Sequence, residues 1–374
     1  MCIGCGAGEE CEHINSLGAK KVIGIDISEF NCLIAKVKSD DYSLFDLKYK
    51  LDGAYRKAVK FSNETFDNNY EIELKRHLSE FNNQFFPNPQ FKHQVKEDRQ
   101  FEQEYAEEKF QQFLKQNHAF LTKNGTKDKS HLLNEGEMSS FLTKWFNKRI
   151  RQELFFYIKL IEAEQDEQTR NIMKIVLSRT ARSCRATKHY DLATLKERQV
   201  GPYYCFKHYK LCTPIDSILK HLKHYTEDTV QRLTEFETLK KPVNIGIIHG
   251  DSRQVDIFDE IKNQNVKFYN LLKKKKIAGV FSSPPYVGQI DYHEQHAYAY
   301  ELFNITRRDD DEIGPMSKGT GKIAKESYVQ GISEVLINVG KYVREEGHFF
   351  IVANDKHKLY PIIAEKSGLK ITDE

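Results

Sequence analysis

No apolar run in this chain reaches the roughly 18 residues that a helix needs to cross a bilayer, and the opening residues do not pass from a basic to an apolar segment as a secretion signal does. Neither a membrane span nor a signal peptide is expected, and the sequence reads as cytoplasmic. An excess of charge of one sign is also lacking. The 57 Lys+Arg stand against 54 Asp+Glu, a net +3, so bulk charge does not announce a nucleic-acid partner, and such a role must rest on local clusters. The seven cysteines, at 2, 5, 11, 32, 184, 205 and 212, form neither a dense nor an even framework, so reduced thiols are expected. Internal repeats are absent. His293-Glu294-Gln295-His296 lacks the two-residue gap that would place two histidines one helical turn apart, which excludes zinc-hydrolase chemistry of that kind.

A chain of 374 residues is long enough for one large α/β domain and a second domain or insertion. Its texture changes twice. The first 38 residues run from a glycine cluster to an apolar strand, Lys21-Val22-Ile23-Gly24-Ile25-Asp26-Ile27, in the manner of half a nucleotide-binding α/β unit. From about Asp40 to Lys240 the chain is highly charged, poor in glycine and read as helices. There 141–163 and 171–181 repeat apolar residues at helical spacing and should pack on one another. The polar stretch 87–137, containing KNGTKDKS, should include a mobile loop. Strand texture returns at 243–248, 277–281 and 347–353, each run ending in polar residues. In an open parallel sheet those ends share one ligand-binding edge.

Gly4, Gly6 and Gly8 offer a backbone able to turn sharply and approach a ligand, though alone such a cluster equally suits an ordinary terminus. Asp26 gives it weight, because an acid at the end of the following strand can accept both hydroxyls of a ribose. Together they point to a nucleoside cofactor. Asp251, after the next strand, could accept from an adenine amino group or cap the turn that follows it.

Ser283-Pro284-Pro285-Tyr286 follows an apolar strand. Two consecutive prolines cannot continue a ladder, so the chain leaves the sheet as a rigid extended corner with its carbonyls outward. An exocyclic amino group on a base ring is a poor nucleophile because its lone pair is delocalised. Acceptors must hold its hydrogens while the nitrogen becomes tetrahedral. The Ser283 hydroxyl and Pro284 carbonyl have that chemistry, and Tyr286 can stack on a base taken out of a duplex. The bland alternative is a plain Pro-Pro turn.

These residues resemble the S-adenosylmethionine-dependent DNA methyltransferases that modify amino groups, and Ser before Pro-Pro-Tyr is more similar to the cytosine-N4 branch than to the adenine-N6 branch. Gly4, Gly6 and Gly8 match the methionine-side loop, Asp26 with Ile27 the ribose side, Asp251 with Ser252 the adenine side, and 283–286 the catalytic tetrapeptide. The stretches IGIDISEFNCLIAKVKS, SSPPYVGQIDYHEQHAYAYELF and FFIVANDKHKLYPIIAEKSGLK extend the resemblance. It is close over 1–38 and 243–374 and looser over 141–225. It implies an α/β fold, a doubly wound Rossmann-like sheet split between 1–40 and 241–374, with 41–240 as a mainly helical insertion for target recognition. Met1-Cys2 leaves no room for the family's full first strand, and the chain stops soon after 349–352. A core lacking its first and C-terminal strands, as in a truncated or split enzyme, is therefore expected.

The partners implied are double-stranded DNA, a cognate restriction endonuclease and a complementary methyltransferase fragment, with no membrane. Arg179, Arg182 and Arg185 lie among hydroxyls suited to phosphates and base edges, and Lys207-His208-Tyr209-Lys210 mixes cations with an aromatic ring, although such runs are more often solvated faces. Lys318 and Lys322 flank Gly319-Thr320-Gly321 and could hold a backbone phosphate, but the spacing is not that of a P-loop and implies no ATP. The lysines at 273–276 read as a solvated loop. Cys205, His208 and Cys212, with Cys184 nearby, could form a small zinc site, yet free thiols are commoner, and no metal is expected. Asp291, Tyr292 and His293 should line the pocket beside the Pro-Pro corner. No Pro-Cys nucleophile suited to carbon-5 methylation is present. The competing readings are an RNA or protein amide methyltransferase, since the same corner serves any planar nitrogen, and a non-catalytic DNA-binding fragment.

Overall fold

The computed structural model describes residues 2–3, 21–96, 98–125, 140–189, 195–239 and 244–373. Contacts divide the chain into two compact units, one formed by Met1–Leu44 with Gln231–Glu374 and the other by Phe45–Val230. No helix among the described residues is long and apolar enough to cross a membrane.

The first unit holds a five-stranded sheet. Its strands are β1 (Cys2–Ile3), β2 (Lys21–Asp26), β5 (Asn244–His249), β6 (Ile277–Ser282) and β7 (Val343–Ile351), in the spatial order β5-β2-β1-β6-β7. All four pairings are parallel. The chain moves outward from β1 through β2 to β5, then crosses back to β6 and β7, so the order reverses between β1 and β6. Such a reversal opens a crevice at the carboxyl ends of the strands. β2 is buried from Val22 to Asp26, as a strand covered on both faces should be. The expectation of an absent first strand needs correction. Cys2–Ile3 occupies the central slot, pairing with Gly24–Ile25 on one side and Phe281–Ser282 on the other.

Helices α1 (Glu29–Ser39), α11 (Ile257–Gln264), α12 (Val266–Lys275), α13 (Tyr292–Gln295), α14 (Ala297–Phe303), α15 (Lys322–Gly340) and α16 (Tyr360–Ser367) belong to this unit. Ile23, Ile25 and Ile248 of the sheet pack with Ile257, Ile261 and Phe268 of α11 and α12 and with Val335 and Val339 of α15. Three helices start at side-chain caps: Ser28 accepts from Asn31 N–H, Asp256 from Phe258 and Asp259 N–H, and Asn265 from Phe268 N–H. Lys273, Lys274 and Lys275 form the last turn of α12 rather than a loop. Cations are favoured there by the helix dipole. β7 begins four residues before the apolar run at 347, because a register shift between Ile277 and Gly279 admits Val343 to the ladder.

The second unit is mainly helical: α2 (Leu44–Thr65), α3 (Asn69–Phe85), α4 (Gln90–Lys96), α5 (Arg99–Gln116), α6 (His118–Gly125), α7 (Phe141–Trp145), α8 (Lys148–Ala163), α9 (Glu167–Ser183) and α10 (Leu219–Leu239). Within the polar stretch 87–137 the described residues are helical at Gln90–Lys96, Arg99–Gln116 and His118–Gly125, and the rest of the segment expected to include a mobile loop, 126–137, lies outside the described residues. Phe91, Val95, Ala106 and Phe113 supply enough buried apolar surface to order these helices. α7 and α8 are separate because Phe146 is extended and fully buried, and the chain restarts as a helix after Asn147. α8 and α9 pack together as their periodicity requires. One element inside the expected helical region is not helical: β3 (Tyr203–Cys205) and β4 (Lys210–Cys212) form an antiparallel hairpin.

Candidate active site

The carboxyl ends of β2, β5 and β6 open on a cavity of about 220 Å³. Asp26 closes β2 and is only 9% exposed. Its Oδ1 accepts the Ser28 N–H at 2.7 Å and its Oδ2 the Asn31 Nδ2 at 3.3 Å. The Ser28 hydroxyl accepts the Asn31 N–H at 3.2 Å, so the turn that starts α1 also aims the carboxylate. Ile27 and Ser28 line the cavity beside it.

Asp251 follows β5 and faces the same cavity with Ser252. Its carboxylate is gripped by Arg253: the guanidinium Nε reaches both oxygens at 2.9 Å, Nη2 reaches Oδ2 at 2.7 Å, and the Arg253 N–H donates to Oδ1 at 2.9 Å. Burial pushes this carboxyl upward, but the Arg253 contacts more than offset that and hold it below the usual carboxylate value. The arginine also donates to the Asp311 carbonyl at 3.2 Å. Asp251 thus caps the turn that follows it and also lines the cavity.

β6 delivers the Pro-Pro corner. The Val352 N–H donates to the Ser282 carbonyl at 2.9 Å, after which the prolines end the ladder. Ser283, Pro284 and Pro285 line the cavity with Asp26 and Asp251. Tyr286 does not. It lines a second pocket of about 30 Å³ with Tyr328, Asn354, Asp355 and Tyr360. Gly288 then turns the chain with φ +70° and donates its N–H to the Gly314 carbonyl at 3.0 Å. A Cβ there would lie 2.6 Å from the Gly319 carbonyl oxygen, so glycine is required both by the dihedral and by the close approach.

A buried relay runs along the wall. The Ser28 hydroxyl and Tyr300 hydroxyl are 2.7 Å apart, and the Tyr300 hydroxyl lies 2.6 Å from His293 Nδ1. His293 is 2% exposed and its Nε2 is buried with no hydrogen-bond partner. Burial pushes the imidazole pKa down and the Tyr300 phenol up to about 12, so both are neutral near pH 7. Tyr292 and Glu312 share the cavity wall, the glutamate accepting the Tyr292 N–H at 2.6 Å and held above its usual value by burial. Asp291 points elsewhere, accepting from the Ser317 N–H and hydroxyl, each at 3.0 Å.

The structure thus gathers Asp26, Ile27, Asp251, Ser252, Ser283, Pro284 and Pro285 at one cavity. Gly4, Gly6 and Gly8 lie outside the described residues. In the first unit Lys318 and Lys322 are exposed, the latter 3.9 Å from Glu326. In the second unit Arg179 pairs with Asp228 at 2.5 Å and sits over the Tyr225 ring, Arg182 is exposed, and Arg185 is 6% exposed, donating to the Arg182 carbonyl at 2.9 Å. Sequence reasoning missed Arg253, Asn31 and Tyr300. An Asp-x-Arg spacing after a strand was a usable signal for the first; Tyr300 acts across a distance of 272 positions from Ser28 and left no local trace.

Fold and cavity define the chain as a mixed α/β protein whose strand ends surround a cavity, an architecture compatible with a methyltransferase. The chain is 46% identical over 358 residues to the type II methyltransferase M.MjaII of Methanocaldococcus jannaschii, a match covering 94% of this chain and 66% of that protein. Over nearly its whole length the chain is therefore similar to a type II methyltransferase. It spans 66% of that relative's length. No family model and no solved structure matches.

Proposed function

We propose that the chain is a DNA amino-methyltransferase that uses S-adenosylmethionine and acts on the N4 of cytosine, in the cytoplasm, as the modification partner of a restriction endonuclease. The observation that carries this reading is the convergence of Asp26, Asp251 and the Ser283-Pro284 corner on one cavity at the carboxyl edge of the sheet. Kinship with M.MjaII supports the methyltransferase class.

The cavity's donor set suits the cofactor. Buried carboxylates at the ends of two neighbouring strands stand beside an apolar wall that includes Ile313, Val335 and Leu336, which matches a ribose, a purine amino group and a purine face. Asp26 and Ile27 would hold the ribose side, Asp251 and Ser252 the adenine side, and Gly4, Gly6 and Gly8 the methionine side. Bound S-adenosylmethionine supplies an electrophilic methyl carbon. The Ser283 hydroxyl and Pro284 carbonyl accept hydrogen bonds from the target amino group, drawing its lone pair out of conjugation, and Tyr286 supports the flipped base. Neither a metal nor a covalent enzyme intermediate enters the reaction. Exposed Arg182, Lys318 and Lys322 would meet phosphates, with Arg179 reaching DNA only by leaving Asp228.

The test is modification-sensitive single-molecule sequencing of DNA from a methylation-free host expressing the chain. A recurrent word carrying N4-methylcytosine is expected. N6-methyladenine would overturn the base assignment, and unmodified DNA would overturn solo activity. Ser283→Ala combined with Tyr286→Ala should abolish the mark while cofactor binding by calorimetry stays near the parent value; full activity in that variant would remove the corner from the mechanism.

A further inference from the structure

The second unit carries a side-chain cluster that the proposed reaction does not use. The hairpin of β3 and β4 alternates its side chains: Tyr204 and Leu211 enter the apolar core of this unit, while Tyr203, Cys205 and Cys212 pack on the other face. Between the strands, His208 sits in a turn in which both the His208 and Tyr209 N–H groups donate to the Cys205 carbonyl, at 3.0 and 2.7 Å. Tyr209 takes the left-handed conformation, with φ 53°. His189 approaches from the segment after α9, its N–H donating to the Tyr203 hydroxyl at 2.9 Å. One donor atom from each of His189, Cys205, His208 and Cys212 lies within 4.8 Å of the other three.

We propose that His189, Cys205, His208 and Cys212 form a structural zinc site. The distances fit. Cys205 Sγ lies 3.7 Å from His189 Nδ1 and 3.6 Å from His208 Nδ1, and Cys212 Sγ lies 3.5 Å from His208 Nδ1. A tetrahedral zinc with sulfur at about 2.3 Å and nitrogen at about 2.0–2.1 Å separates sulfur from nitrogen by about 3.5–3.6 Å. Thiol–imidazole hydrogen bonds alone account for the cluster less well. His208 Nδ1 is within reach of both sulfurs, yet a neutral imidazole nitrogen has one lone pair and accepts only one S–H. A cation at the centre satisfies all four donors together. Both cysteines are buried and both histidines half-buried, which also favours a small enclosed ion over solvated thiols.

Two cysteines and two histidines fill a tetrahedral shell and leave no open position, the pattern of a structural rather than a catalytic zinc. The ion would brace a hairpin of three residues per strand, which is marginal by itself, and tie it to the segment that follows α9. The fourth ligand is His189, not the Cys184 that sequence order suggested; Cys184 is buried with its thiol pushed up by desolvation and lies outside the tetrad.

The experiment is metal analysis of the full chain, expressed in zinc-supplemented medium and purified anaerobically without chelators or nickel resin. About one zinc per chain is expected, falling roughly tenfold in His189→Asn and in Cys205→Ser, and unchanged in Cys184→Ala. Because a ligand variant could fail to fold, the parent chain is also stripped with a chelator and titrated with cobalt(II) alone. Thiolate charge-transfer and tetrahedral d–d bands saturating at about one equivalent are expected. A metal-free native chain that takes up no cobalt, a Cys205–Cys212 disulfide in the anaerobic preparation, or zinc that leaves with Cys184 instead of His189 would each overturn the site.

Discussion

Replacing Arg253 with alanine isolates the energetics of the cavity wall. Asp251 is 7% exposed, and Arg253 holds its carboxylate through two guanidinium nitrogens and the backbone N–H. Truncation removes the guanidinium and leaves a carboxylate facing the cavity uncompensated. Breaking a fully buried pair in this way costs about 3–5 kcal/mol. Here the arginine side chain keeps 26% exposure and water can enter the cavity, so about 2 kcal/mol is the appropriate magnitude. For a unit of this size each kcal/mol moves Tm by about 3 °C, so Tm should fall by about 6 °C. Thermal melts of Arg253→Ala, Asp251→Asn and the double variant form the assay. In the double variant the stranded charge is gone, so it should recover at least half of the loss seen in Arg253→Ala. Strict additivity of the two single changes, or an Arg253→Ala Tm within about 1 °C of the parent, would refute the coupling.

Two further outcomes follow from the same wall. His293 is buried with its pKa pushed down, so the unfolded state takes up a proton first as pH falls through about 6.5. Stability should therefore be complete above that value and decline below it until the folded-state pKa is passed; melts between pH 7.5 and 5, compared with His293→Gln, should show the variant falling less steeply, and an identical slope would acquit the histidine. Gly288→Ala should lower methyl transfer severely, since the added Cβ meets the Gly319 carbonyl at 2.6 Å in a left-handed turn just after the Pro-Pro corner; cofactor titration should change little, and unaltered transfer would show that the loop tolerates displacement.

The parts legible in the sequence were those where a physical signal repeats over enough residues. The Val22–Ile25 and Ile245–Ile248 runs revealed strands because every position is apolar or small, and the polar groups at their ends marked the site edge. Ser283-Pro284-Pro285 was legible because consecutive prolines permit few conformations. β1 was not, since two residues carry no periodicity and the strand exists only through its partners on both sides. The β3–β4 hairpin was hidden for the same reason, with Tyr-Tyr-Cys and Lys-Leu-Cys too short to display alternation. His189 could not be assigned to the cysteine cluster from spacing alone, because it lies 16 positions from Cys205 in the chain. The separation of Tyr286 from the cavity lined by Ser283 was equally illegible: adjacent residues at a corner face different pockets.

The pairing of β2 with β5, Lys21 against Asn244 through Asp26 against His249, has a consequence for biosynthesis. The partner of β2 is not translated until the whole of the second unit has been made. At about 5–20 residues per second that wait is on the order of 10–40 s. During it the strand bearing Asp26 must remain unpaired along that edge while emerging apolar side chains have no sheet to join. The apolar face of that strand therefore stays exposed throughout the interval, and slow codons within the second unit would lengthen the exposure rather than help the first unit to fold.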